Sequence, residues 1–173
     1  PIRPIAPTNA SSRCRSSDAW YRSCAARTKT PGRPRTAPRT ERGTRTRAKL
    51  IAAAEQVFAT LGYHEASIVK ITEAAGVGSG TFYLYFDSKQ QIFDDLVEDL
   101  NRRVRNAMST AASQETDRLA AERAGFRAFF GFTATHPALY RIIRQAEFVS
   151  PGALRLHYSR IVDGYIQGLQ ASQ

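Results

Sequence analysis

Residues 74–86, AAGVGSGTFYLYF, place three glycines directly ahead of four aromatic side chains. Working outward from this stretch, Gly76 supplies a backbone turn with positive φ after one short helix, and Gly78 starts the next. Gly80 keeps the surface of that second helix low, so that its backbone can approach another molecule closely. At 100° per residue, Phe82 and Phe86 share one face suited to a core, Gly80, Thr81 and Leu84 point away, and Ser79 and Tyr83 lie on the flank. The spacing therefore predicts a helix over 78–86 with phenylalanine anchors behind and small or hydroxylated groups in front.

The flanking sequence is helical in period. Leu50, Ala54, Val57, Phe58 and Leu61 recur at helical spacing from Thr44 onward, and Gly62 follows as a stop. Ser67 caps a shorter helix with Ile68, Ile71 and Ala75 on one face. After Phe86, Ser88 with Gln91 three residues on forms a capping box, ahead of a long helix bearing Ile92, Phe93, Leu96, Val97, Leu100, Val104 and Met108. Two short helices about a turn, braced by a longer helix on each side, have the layout of a helix-turn-helix, whose second member enters the DNA major groove.

The chain has 173 residues, long enough for one moderate core or two small ones, and shows no strand-like alternation. No apolar run reaches the length needed to span a bilayer and no leader opens the chain, so a cytoplasmic protein with no membrane role is expected. Its net charge of +10 is unevenly placed: residues 1–49 hold 13 Lys+Arg against Asp18 and Glu41, and the remainder is close to neutral. Residues 1–43 are rich in Pro, Ser and Arg and poor in aliphatic periodicity, and read as a disordered basic arm. That arm reads either as a solubilising tail or as a DNA-binding extension in which Arg33 and Arg35 of GRPR enter a minor groove. Cys14 and Cys24 match neither zinc nor disulfide spacing.

Residues 115–173 also read as helices. Leu119, Phe126, Phe129, Phe130 and Thr133 form one stripe, Leu139, Ile142, Ile143 and Ala146 a second, and Leu154, Tyr158, Ile161, Val162, Tyr165, Ile166 and Leu169 a third. The three helices are expected to form a separate bundle. His64, His136 and His157 are scattered, and no nucleophile and base pair is apparent, so neither catalytic nor metal-ligating residues nor a cofactor are expected.

The run from Arg45 to Met108, including AKLIAAAEQVFATLGYHEASIVKITEAAGVGSGTFYLYFDSKQQIF (48–93), resembles the DNA-binding domain of the tetracycline-repressor (TetR) family of bacterial regulators. The resemblance implies an all-α fold: a DNA-binding domain at 44–108 with its helix-turn-helix at 67–86, joined by a long fourth helix to an effector-binding and dimerisation bundle at 115–173. It implies double-stranded operator DNA as partner, contacted by Arg45, Arg47, Ser67, Val69, Lys70, Gly78, Ser79, Gly80, Thr81, Tyr83, Tyr85 and Lys89, the last at a phosphate beside the cap of the fourth helix. It further implies an effector pocket, for which Phe126, Phe130, Tyr140, Phe148, Tyr158 and Tyr165 are candidates, although such a stripe also reads as plain core. Family members continue into two more helices that pair with a partner subunit, so the intact protein is expected to be a homodimer and the bundle here truncated.

The departures from the family pattern are specific. Many members have VSKGT where this chain has VGSGT at 77–81, and Val69 stands where some carry a base-reading arginine. Readout is then expected to rest on small and aromatic groups. The expected function is a ligand-responsive transcriptional repressor on a palindromic operator; the alternative is a helical small-molecule carrier or interaction module whose apparent reading helix is merely packing.

Overall fold

A computed structural model describes residues 40–170, without the side chains of residues 164, 165 and 167–170. The expected groove-binding arginines Arg33 and Arg35, both cysteines and the side chain of Tyr165 lie outside the described residues. Among the described residues seven helices follow one another: α1 (Glu41–Glu65), α2 (Ile68–Ala75), α3 (Ser79–Phe82), α4 (Lys89–Ala112), α5 (Arg118–Thr135), α6 (Pro137–Val149) and α7 (Pro151–Gln170). The described residues contain no strand.

Local chemistry sets the helix ends. The Thr40 hydroxyl accepts the Gly43 N–H at 3.2 Å, so α1 begins at Glu41, three residues ahead of the Thr44 start read from apolar period. Gly62, at φ 79° and ψ 166°, breaks the α1 spiral before its last short turn. Ser67 caps α2 by accepting the Lys70 N–H at 3.2 Å. At the other end Gly76 is left-handed (φ 65°, ψ 37°), and the bonds Gly76 N–H to Glu73 O and Val77 N–H to Thr72 O complete a Schellman motif. The expected helix over 78–86 is shorter than its period implied: α3 ends at Phe82, and the chain tightens through Leu84 N–H to Thr81 O and Tyr85 N–H to Phe82 O. Ser88 accepts the Gln91 N–H at 3.1 Å, while the Gln91 side chain reaches back to the Asp87 N–H at 2.6 Å, a capping box displaced by one residue.

The core gathers Phe58, Phe82, Phe86 and Phe93 with Ile71, Ile92, Leu96 and Leu100, all essentially inaccessible. Phe58 and Phe93 meet edge to face with ring centroids 5.2 Å apart. Two ion pairs tie α1 to α4: Arg47 to Asp95 at 2.6 Å and Arg103 to Glu55 at 2.5 Å.

The helical bundle shares its core with the DNA-reading half. The same buried cluster runs on through Leu139, Ile142 and Ala146 of α6, because α6 lies against α1. Polar bonds fasten that seam: Arg141 donates to Ala59 O at 3.0 Å, and the Gln145 amide oxygen accepts the Tyr63 N–H at 2.6 Å. In contrast, α5 does not bury its aromatic stripe. It packs on α4 through the small residues Ala121 and Gly125, which leaves Leu119 and Phe130 58% and 65% exposed. Close helix approach through small side chains turns the bulky ones aside.

Candidate nucleic-acid interface and apolar cavity

The α2–turn–α3 unit has a sealed back and an open front. Phe82 and Phe86 stand behind it in the core, their ring centroids 5.5 Å apart. In front, Gly78, Ser79, Gly80, Tyr83 and Leu84 are exposed, and Thr81 is half-buried. A methyl group added at Gly78 or Gly80 would meet nothing within 4 Å, so the backbone of α3 is bare toward solvent. Val69 and Lys70 on α2 are exposed beside it, although the Lys70 ammonium also donates to Glu65 O at 3.0 Å.

Several expected contact residues are engaged inside the fold. The Lys89 ammonium donates to Tyr63 O at 2.8 Å and Ala66 O at 2.9 Å, and lies 4.4 Å from the Tyr63 ring centroid. It closes the carbonyl end of α1 instead of presenting its charge at the helix-four cap, since orphan carbonyls there offer a fixed partner. Arg47 is committed to Asp95 and lies over the Phe86 ring at 5.3 Å. Burial raises the Asp95 carboxyl above its ordinary range, and the Arg47 charge only partly offsets this. Tyr85 is half-buried against the core, so Tyr83 is the outward tyrosine of the pair. The Ser67 hydroxyl serves as the α2 cap. Arg45 is exposed and paired with Glu41 one turn earlier.

Two exposed cations escaped the sequence reading, Arg42 and Lys49. With Arg45 they recur at i, i+3 and i+7 on α1, a single helical stripe; that spacing is the signal that identifies them. Leu84, exposed at 67%, is a further front-face residue not among the expected contacts.

A second feature lies between α4, α5, α6 and α7, a cavity of about 750 Å³. Phe126, Phe130, Tyr140 and Tyr158 line it. Phe148 does not: it is 81% exposed, about 200° around α6 from the buried Ala146 at helical pitch. The sequence reading missed the polar members of the wall. Asn101, only 2% exposed, accepts the Arg105 Nε–H through its oxygen at 2.7 Å and meets His157 Nδ1 through its nitrogen at 2.6 Å. Arginine cannot accept, so the Asn101 amide must face His157 with N–H; His157 Nδ1 is then the acceptor, and the ring hydrogen sits on Nε2. Burial, with the Arg105 and Arg160 charges, lowers the His157 pKa below its ordinary value and keeps that ring neutral.

Against known proteins, a family model described as bacterial regulatory proteins, tetR family, matches residues 50–96. The uncharacterized HTH-type transcriptional regulator YdgC of Bacillus subtilis is 41% identical over 64 residues, 37% of this chain and 33% of that protein. The HTH-type transcriptional activator FasR of Mycolicibacterium smegmatis is 34% identical over 117 residues, 65% of this chain and 50% of that one. The chain thus spans half or less of the length of these curated relatives. Among solved structures, the transcriptional regulator FadR of Bacillus subtilis in complex with stearoyl-CoA is 28% identical, with a TM-score of 0.57 over 70% of this chain and 66% of that one.

Proposed function

This chain belongs to the TetR family of bacterial regulatory proteins, and from that premise we propose that it is a sequence-specific DNA-binding repressor, acting in the cytoplasm as a homodimer on a palindromic operator and released by a small apolar or amphipathic ligand. The observation that carries the DNA-binding reading is the open front of α3, bare at Gly78 and Gly80 and flanked by Tyr83, with two phenylalanines sealed behind it. A low, glycine-lined helix face lets backbone come close to base edges, and Thr81 and Tyr83 offer hydroxyls and apolar surface there. Arg42, Arg45 and Lys49 on α1 supply charge for phosphate contacts.

Ligand response is supported by the position of α6. Tyr140, Ile143 and Arg144 face the cavity, while Arg141 and Gln145 hold the carbonyl end of α1 that leads into α2. A ligand that displaces α6 therefore bears on the DNA-reading unit through hydrogen bonds already formed. The FadR structure is a complex with stearoyl-CoA, which supports a ligand cavity of this kind in a related fold.

The test is selection of bound fragments from random double-stranded DNA, followed by titration of the recovered sequence. An inverted repeat with half-site centres about 10 bp apart is expected, since two copies of α3 related by a twofold must enter successive major grooves. The cavity equally suits a small-molecule carrier. A chain that binds apolar ligands and enriches no DNA sequence would establish the carrier and end the regulator reading.

A further inference from the structure

The polar groups in the cavity wall are committed to one another, with one exception. Arg160, its side chain 10% exposed, pairs with Glu98 at 3.3 Å, and the Arg105 Nε–H donates to Asn101 at 2.7 Å. The Asn101 amide N–H in turn donates to His157 Nδ1 at 2.6 Å. Thr133 donates to Phe130 O at 2.9 Å. Tyr140, Arg144, Glu147 and Tyr158 are exposed and stand at the mouth. What remains is the ring hydrogen on His157 Nε2, which makes no hydrogen bond among the described residues. Nδ1 and Nε2 lie on opposite edges of the ring, so the bond at Nδ1 turns Nε2 away from Asn101. Nor is Nε2 sealed in: among the described residues the buried side-chain nitrogen or oxygen without a hydrogen bond is Arg103 Nε. His157 therefore adds one open donor to a lining that is otherwise apolar at Val104, Met108, Phe129, Ile143 and Ile161.

The charge of the guest follows from these bonds. To hold a carboxylate, Arg160 would have to leave Glu98 or Arg105 leave Asn101, and Asn101 is only 2% exposed, where a lost donor is not replaced by water. An ammonium brings only donors to a donor. An uncharged carbonyl accepts from Nε2 and breaks nothing, and its chain enters the apolar lining without stripping water from an ion. We infer that the cavity takes an uncharged ligand, an apolar chain carrying one ketone or ester carbonyl whose oxygen accepts from His157 Nε2–H, with the chain along Met108, Phe129 and Ile143. This builds on reading the cavity as a ligand site and adds the chemical class of the ligand and the residue that orients it. Burial and the neighbouring Arg105 and Arg160 charges, which keep the ring neutral, also keep Nδ1 an acceptor and the hydrogen on Nε2.

The full chain is titrated with N-phenyl-1-naphthylamine, an uncharged fluorescent probe, which is then displaced by undecan-2-one, decanoate and decylammonium, all bearing a nonyl tail. The ketone should bind at least about tenfold more tightly than either ion. In His157→Leu the ketone should weaken by about threefold to tenfold, the range for one neutral hydrogen bond, while the probe's own affinity holds within about twofold. Nitrogen and proton NMR of the wild-type ring give a readout that depends on no variant: Nδ1 bare, Nε2 protonated, and the Nε2–H proton shifted downfield when the ketone is added. Decanoate binding as tightly as the ketone would overturn the carbonyl site. So would a ketone that leaves the Nε2–H proton in place, or one that binds a folded His157→Leu as well as wild type. In each of these cases probe binding leaves the cavity standing as a ligand site. A chain that binds neither probe nor ketone would end both readings. The expected pattern without release of bound DNA would uphold the carbonyl site and refute ligand-controlled release.

Discussion

At Lys89 two partners compete, a phosphate outside the fold and carbonyls within it. A lysine one residue past a helix cap is a natural anion ligand, but here three carbonyls at the end of α1 lie within 3.5 Å of its ammonium. Removing it leaves those acceptors without their cation, so Lys89→Ala is expected to cost about 1–3 kcal/mol of stability. Urea unfolding measures that loss; the slope of DNA affinity against salt should stay unchanged, whereas a phosphate ligand would lower it by about one unit. His157 makes the second residue-scale prediction. Its folded-state pKa lies below the ordinary 6.5, so its contribution to stability is complete above that value and is lost as pH falls through the lowered one. Wild type should therefore lose more stability than His157→Gln between neutral and mildly acidic pH, as followed by urea midpoints; equal losses would mean the ring does not titrate as a buried group. Tyr83, 58% exposed, is the tyrosine whose replacement by alanine should change DNA sequence preference without changing stability.

At the scale of elements, two glycines have opposite consequences. Gly62 occupies φ 79° and ψ 166°, a region open essentially to glycine alone, and a methyl there would sit 3.8 Å from the Gln145 oxygen, an ordinary contact. Torsion and not crowding then sets the cost, and Gly62→Ala should destabilise by about 1–3 kcal/mol. Gly80 is helical with open space around it, so Gly80→Ala should raise stability by about 0.5–1 kcal/mol. The same substitution should weaken DNA binding, roughly tenfold for a loss of about 1.4 kcal/mol, because the added methyl stands on the approaching face. Calorimetry and fluorescence anisotropy on this one variant separate the two effects. DNA affinity unchanged in Gly80→Ala would remove the close approach of α3 from the account. Both ends of α2 and the start of α4 were legible in sequence because Ser67, Gly76 and Ser88 fix them by local hydrogen bonds. The early end of α3 at Phe82 was not, since the i, i+4 spacing of Phe82 and Phe86 fits a continuous helix and a tightened turn alike.

For the whole molecule, the buried cluster joins the DNA-reading unit to α6 without a gap. Heating should therefore give one transition, with calorimetric and van't Hoff enthalpies equal. Ile142→Ala, on α6 and fully buried, should cost about 2–5 kcal/mol and shift that single transition as a unit. Two separated transitions, with only the later one moved by Ile142→Ala, would mean that the bundle unfolds as a separate unit and would overturn the single shared core. Composition located the charge excess ahead of residue 50, but could not say which of those cations an ion pair holds. Arg47 is held by Asp95, 48 residues away, and Arg42 and Lys49 are exposed.

What the sequence determined alone is whatever is settled within a few residues: the all-helical periodicity, the serine caps, the glycine stop at 76 and the phenylalanine pair behind α3. These follow from side chains one or two turns apart, whose geometry the helix itself dictates. Tertiary structure decided the rest. It turned Lys89 and Arg47 inward, set α6 against α1, left the α5 aromatics around a cavity and joined Asn101 to His157 across 56 positions. Such pairings depend on which helix faces meet, and no local spacing encodes that.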